Sequence, residues 1–171
     1  MQRKDFTIAI AGLLVLALAI GVWLAPTGLG QAPSVTLTTL KGERIELDSL
    51  RGRPVLVTFW ATSCATCIEE IPDLLALHEQ FADQGLAIIG VAMSYDPPNL
   101  VKTFTERRAL PYTIALDLDG SVAQAFDEVR VTPTNFLIAP DGRIVKKKLG
   151  LMDMAALREQ IAAMLARPAR S

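Results

Sequence analysis

An α/β architecture built on a mixed central sheet is the fold this sequence predicts, and three observations predict it. Two nearly continuous apolar, β-rich runs, "PVLVTFW" (Pro54–Trp60) and "LAIIGVAM" (Leu86–Met93), have the composition of strands buried on both faces. Each is followed by a segment of helical character. The last β-rich segments, "TNFLIA" and "RIVKKKLG", flank "PDG" and read as an antiparallel hairpin. Strands that alternate with helices and finish in a hairpin imply parallel central strands with helices on both faces. The totals, 171 residues, 51% hydrophobic and net charge −1, suit one such domain plus an appendage. The near-neutral charge gives no electrostatic reason to expect nucleic acid as a partner.

The chain opens with "MQRKDFTIAIAGLLVLALAIGVWLAP". No charged residue occurs from Phe6 to Leu24, and as a helix this stretch spans ~28 Å, near the ~30 Å hydrocarbon thickness of a bilayer. Arg3 and Lys4 precede it, and no Lys or Arg follows until Lys41, which orients the N-terminus to the cytoplasm and the remainder outside. Trp23 stands where an interfacial aromatic anchors the far end. A cleaved signal peptide is the competing reading, but its apolar region is only about 7–15 residues long. The best cleavage site ends at Ala32 and is followed by Pro33, a poor residue after a cut. Residues 1–25 are therefore expected to be an uncleaved transmembrane anchor, residues 26–34 ("PTGLGQAPS") a linker, and residues 35–167 the domain.

Within the domain, "VTLTTL" (Val35–Leu40) alternates with period two and turns through "KGE" into "RIEL", a small opening hairpin. From Cys64 to about Ala82, Ile68, Ile71, Leu74, Leu75 and Phe81 share a helical stripe, which Pro72 kinks and Gly85 ends. "DPPNLVKTFTERR" begins a helix with Asp96 as its cap and the prolines in its first turn. "PYTIALD" reads as a short strand, "SVAQAFDE" as a short helix, and "MDMAALREQIAAMLA" as a closing amphipathic helix. Lys146, Lys147 and Lys148 read as a solvated strand edge that discourages edge-to-edge pairing.

Both cysteines lie in "FWATSCATC" (Phe59–Cys67), two residues apart. Three chemistries could use them: a metal site, a structural staple, or a redox couple. Two cysteines and one histidine, His78, cannot fill a four-ligand zinc site within one chain. Closing so short a loop removes little unfolded-state entropy, so a staple would stabilise weakly. The redox reading fits the position. Cys64 falls at a strand-to-helix junction and is expected in the first helical turn, where free N–H groups and the helix dipole favour the thiolate. Cys67, one turn on, can displace a mixed disulfide formed by Cys64. His78 reads as a helix-surface or core-edge residue, and Met152 and Met154 as packing residues rather than copper ligands.

Around the pair, "VLVTFWATSCATC" resembles the active-site strand and turn of the thioredoxin fold, most of all in the membrane-anchored TlpA/ResA-like (redoxin) branch of thiol–disulfide oxidoreductases. The resemblance covers about Ala32 to Leu165. Pro72, five residues past Cys67, matches the proline of the fold's active-site helix. "VTPTNFLI" matches the segment carrying a cis-proline, here Pro133. "MSYDPPNLVKTFTERRALPYTIALD" fits the branch's helix-and-strand insert, and "SLRGRPVLVTFWAT" and "PDGRIV" are typical of it.

The resemblance implies a thioredoxin-like fold: a central mixed β-sheet flanked by helices on both faces, with an N-terminal β-hairpin and a central αβ insert, preceded by one transmembrane helix. It implies a monomeric, periplasmic enzyme tethered to the bacterial cytoplasmic membrane. Such an enzyme reduces disulfides in exported proteins such as apocytochrome c, is re-reduced by a membrane thiol carrier, and needs no cofactor. Cys64 would be the nucleophile and Cys67 the resolving thiol, with Trp60, Thr132 and Pro133 contacting substrate, Thr132 through its backbone. Glu70 sits where reductive members carry a glutamate with a role in proton handling; in the plainer reading, Glu69 and Glu70 only complement the helix dipole.

The chain also departs from the pattern. Thr58 stands where thioredoxins proper carry a buried aspartate, and Ser63 where they carry tryptophan. The pair encloses Ala65 and Thr66, without the usual proline before Cys67 and unlike the Pro-His of strongly oxidising relatives, which leans toward a reductant. Three alternatives stand beside it: a disulfide-forming oxidant, a peroxiredoxin-like peroxide reductase (whose expected proline "TFWATSC" lacks), and a non-enzymatic metal-delivery module holding metal between chains.

Overall fold

A computed structural model of the chain describes residues 29–166, so the expected transmembrane segment lies outside the described residues. Among the described residues no helix is long and apolar enough to cross a membrane. The elements follow in order: β1 (Thr36–Thr39), β2 (Arg44–Glu46), a 3-10 turn (Leu47–Leu50), β3 (Val55–Trp60), α1 (Ala65–Phe81), β4 (Ala87–Ala92), α2 (Pro98–Arg108), β5 (Thr113–Leu116), α3 (Ser121–Ala125), β6 (Thr134–Ile138), β7 (Ile144–Leu149) and α4 (Met154–Leu165). The strands form one sheet in the order β2-β1-β5-β4-β3-β6-β7. β3, β4 and β5 run parallel, while β1 joins β5, and β6 joins β3, antiparallel. This is the thioredoxin-like mixed sheet that the sequence leads one to expect.

Every residue of β3 is buried, and the alternation of its side chains divides the core in two. Val55, Val57 and Phe59 point into a cluster with Phe126 and Phe136. The three rings meet edge-on or tilted, with centroids 5.3, 5.9 and 5.0 Å apart, contacts worth about 0.5–1.5 kcal/mol each beyond burial. Leu56 and Trp60 point the other way, into a cluster with Leu74 and Leu77 of α1, Val101 of α2, and Leu157 and Ile161 of α4. Helices thus lie on both faces, but unevenly. α1, α2 and α4 cover one face, and the short α3 with the 3-10 turn covers the other.

Helix ends refine the expected boundaries. Cys64 is the N-cap of α1, with extended backbone, rather than a residue of its first turn. The helix continues through Pro72 to Phe81. Asp96 does not cap α2; Pro97 takes that position and Pro98 is the first helical residue. Buried Asp96 instead accepts hydrogen bonds from the Thr62 amide at 2.6 Å and the Thr62 hydroxyl at 2.7 Å. Asp153 caps α4 through the amides of Ala155 and Ala156, and buried Asp117 serves the amides of Val122 and Ala123 in α3.

The end of the expected linker is hydrogen-bonded. Gln31 pairs with Arg143, Leu29 N–H donates to Ile144 O, Ile144 N–H to Gly30 O, and Ala32 N–H to Gly142 O. These bonds cover the beginning of edge strand β7. Its remainder carries Lys146, Lys147 and Lys148.

Gly90 stands beside Thr58 on one side and Ile114 on the other. A Cβ there would lie 2.9 Å from Ile114 Cδ1 and 3.1 Å from Trp60 Nε1. Gly90→Ala is therefore expected to destabilise the protein by about 1–3 kcal/mol, read as a lower urea midpoint at unchanged slope. A wild-type midpoint would mean that the Trp60 ring can move aside.

Candidate active site

β3 leaves the sheet at Trp60, and the chain turns through Ala61–Ser63, the Cys64 N–H donating to Ala61 O at 3.1 Å. Asp96 fixes this turn through Thr62. Cys64 then caps α1, and its Sγ accepts the Cys67 amide at 3.2 Å. The two sulfurs are bonded at 2.12 Å, with their Cα atoms 5.3 Å apart. Their environments differ: Cys64 is half-buried, whereas Cys67 is 4% exposed. A partner can reach Cys64 but not Cys67.

The Thr132–Pro133 bond is cis, as the resemblance implies. The turn carrying it leads into β6, whose Thr134 pairs with Phe59, so it lies at the same end of the sheet as the cysteine loop. Pro133 is buried and its carbonyl accepts Gly150 N–H at 2.8 Å. The exposed Tyr95 hydroxyl lies 3.5 Å from Thr132 Oγ1.

Glu70 lies one helical turn beyond Cys67 and is 2% exposed. Its carboxylate accepts Met152 N–H at 2.9 Å and Asn135 Nδ2–H at 3.3 Å. Burial pushes its pKa above the ordinary value; the two hydrogen bonds oppose that shift, and the charge of Asp73 adds to it. Glu70 is outside the first turn of α1 and faces inward, so complementing the helix dipole does not account for it; Glu69 is exposed. Glu70 and Cys67 line a cavity of about 10 Å³ together with Thr58, Trp60, Gly90 and Tyr112, room for about one water. Glu70 thus reaches from the helix into the cavity that Thr58 lines from the sheet.

Trp60, expected on the substrate-contacting surface, is not there. As the last residue of β3 it shares the inward face of Leu56 and Thr58, is 5% exposed, and packs on Phe104 with ring centroids 5.5 Å apart. Its place is beneath the cysteines. His78 is half-buried, with its ring 6.4 Å from that of Tyr112. Met152 and Met154 pack into the α1 side of the core. Among the described residues no group of three His, Cys, Asp or Glu side chains converges as metal ligands.

Three residues of the site escaped sequence reasoning. Asn135 had a signal: an amide inside the apolar run "TNFLIA". Asp96 and Tyr112 had none, because topology alone brings them to the site.

The comparisons agree with this geometry. The AhpC/TSA family profile matches residues 30–147. The thiol-disulfide oxidoreductase ResA of Bacillus subtilis is 34% identical over 128 residues, 75% of this chain and 70% of that protein. The ResA of Halalkalibacterium halodurans is 33% identical over 167 residues, 92% of this chain and 94% of its own. Among solved structures, a thiol:disulfide interchange protein DsbE from Chlorobium tepidum superposes with a TM-score of 0.74 at 25% identity, covering 82% of this chain and 99% of that one. A thioredoxin from Neisseria meningitidis superposes with a TM-score of 0.73 at 30% identity, covering 79% and 89%. With its cysteine pair joined at the head of a buried-strand-to-helix turn, the chain belongs to the AhpC/TSA family and is a thiol–disulfide oxidoreductase of the ResA/DsbE type, whose chemistry runs on that pair without a cofactor.

Proposed function

We propose that the chain is a membrane-tethered, extracytoplasmic reductant of disulfides in exported proteins, apocytochrome c among them, re-reduced by a membrane thiol carrier. The observation that carries the reading is the asymmetry of the pair: an accessible sulfur at a helix N-cap and an interior sulfur beside a buried carboxyl. In the reduced enzyme the Cys64 thiolate attacks one sulfur of a substrate disulfide, and the other leaves as a thiolate. The Cys67 thiol passes its proton to the Glu70 carboxylate. Its thiolate attacks Cys64 Sγ, expels the substrate's remaining sulfur, and closes the Cys64–Cys67 bond. Two electrons move to the substrate, and the membrane carrier restores the dithiol.

Thr132 supports the same reading, because its backbone N–H and C=O make no hydrogen bond to any described residue. Those groups are free to pair with an extended substrate segment over Pro133. The tether fits as well. Residues 29–32 join the sheet beside Gly142–Ile144, whereas the cysteine end lies at Leu149, the register partner of Thr134. A membrane anchor before residue 29 would hold the cysteines at the far end of the sheet, facing away from the bilayer.

Cys67→Ala should strand substrates on Cys64 as disulfide-linked adducts that a dithiol releases and that Cys64→Ala abolishes. A reductant of this kind should have a potential below about −200 mV, whereas a value above about −150 mV would identify a disulfide-forming oxidant.

Burial of Glu70 also fixes a sign. A carboxyl with a raised native pKa binds its proton more tightly when folded. Its contribution to stability is full below the ordinary value of 4.5 and is lost as pH rises through the raised value. The oxidised wild type should lose stability relative to Glu70→Gln as pH climbs from 4.5, by about 1.4 kcal/mol for each unit of upward shift. Paired denaturant titrations check this, and a difference independent of pH would contradict it.

A further inference from the structure

When Cys67 must lose its proton, the front of the site is closed. The substrate is bonded to Cys64, Cys67 is 4% exposed, and Pro133 is buried. Glu70 has no direct contact with solvent to speak of, at 2% exposure. A proton accepted there needs another way out if the enzyme is to turn over.

The buried side-chain polar atoms without a hydrogen-bond partner among the described residues are Trp60 Nε1, His78 Nδ1, Thr105 Oγ1 and Asn135 Oδ1. They are not scattered. Asn135 donates to Glu70 through its other amide atom. Trp60 lines the cavity that contains Glu70. The His78 ring lies beside Tyr112. Thr105 lines a second, larger cavity of about 260 Å³, which opens between the β1–β2 hairpin, the end of α2 and the start of β5. Tyr112 belongs to the walls of both cavities. It is the partition between the chamber under Cys67 and a groove on the flank of the sheet. Buried polar atoms in native proteins are satisfied by protein or by ordered water, so these four mark places for water in the chamber around Glu70, beside Tyr112 and at the groove.

We propose that the proton taken by Glu70 leaves through the rear of the domain, past the Tyr112 hydroxyl, into this lateral groove. The inference rests on the reading of Glu70 as the proton acceptor for Cys67. The transfer is balanced without ionising the phenol. Water in the small cavity takes the Glu70 proton and donates one to the Tyr112 oxygen, while the phenolic hydrogen passes to water in the groove, so one proton leaves. Electrostatics agree: burial pushes the Tyr112 pKa upward first, and the charge of Glu70 pushes it further. The groups that bear on Glu70 are Asp73 on its own helix, Asn135 on β6 and the Met152 amide after β7, and Glu70 in turn bears on Tyr112.

The test uses the full-length reduced protein and oxidised glutathione as probe. Rapid acid quench separates capture by Cys64 from resolution of the mixed disulfide by Cys67. In Tyr112→Phe the ratio of resolution rate to capture rate should fall at least about tenfold, and Thr105→Val, on the groove side, should lower it in the same direction. A merely structural defect would slow both steps and leave the ratio at its wild-type value. If Tyr112→Phe keeps the wild-type ratio while Glu70→Gln lowers it, the rear path is overturned and Glu70 stands as acceptor. If Glu70→Gln also keeps it, the acceptor role fails with it.

Discussion

One hydrogen bond organises the site: the Cys67 amide donating to the Cys64 sulfur across the first turn of α1. It exists because a fully buried strand stops at Trp60 and a helix starts five residues later. At that start the amides of the first turn lack helical partners. A sulfur in the N-cap position receives one of them together with the positive end of the helix dipole, and both effects strengthen when the sulfur is anionic. The loop that sets the sulfur there is fixed by Asp96, whose two carboxylate oxygens hold Thr62 from the segment after the neighbouring strand β4. A helix beginning one residue earlier or later would hand the cap to Ser63 or Ala65 and leave the sulfur without its donor.

The second sulfur depends on longer-range order. Cys67 faces inward because it lies on the buried side of α1 with Glu70, Ile71 and Leu74. Glu70 is held by atoms from β6 and from the chain after β7, 65 and 82 residues away in sequence. The β3–β6 register, which sets Asn135 opposite Thr58, brings those atoms under the cysteines. A carboxyl in an apolar core is destabilising unless it is hydrogen-bonded, and the two donors meet that need without cancelling the upward shift of its pKa. The same wall of the core carries Tyr112, which lines both the chamber under Cys67 and the flank groove.

Much of this was legible in the sequence, and what was not has a physical reason. The run Val55–Trp60 announced a strand buried on both faces because all its side chains are apolar except Thr58. The helical stripe of α1 and the hairpin around Asp141 and Gly142 follow from local periodicity and turn chemistry. The sequence misplaces Asp96 because a carboxylate before two prolines is a good local cap, and nothing nearby reveals that both its oxygens are engaged by Thr62. Resemblance assigns Trp60 to the surface, whereas strand alternation points its ring inward. The antiparallel seating of β1 against β5, and with it the groove beside Tyr112, has no local signature because it depends on strand order.

The account stands on Cys64 being anionic near neutral pH because of where the helix begins. The direct measurement is the rate of Cys64 alkylation by iodoacetamide in the reduced protein as a function of pH. The account predicts a half-maximal rate well below the ordinary thiol value of about 8.5, with Cys67 protected throughout. A midpoint at or above that value, or equal reactivity of the two thiols, would contradict it.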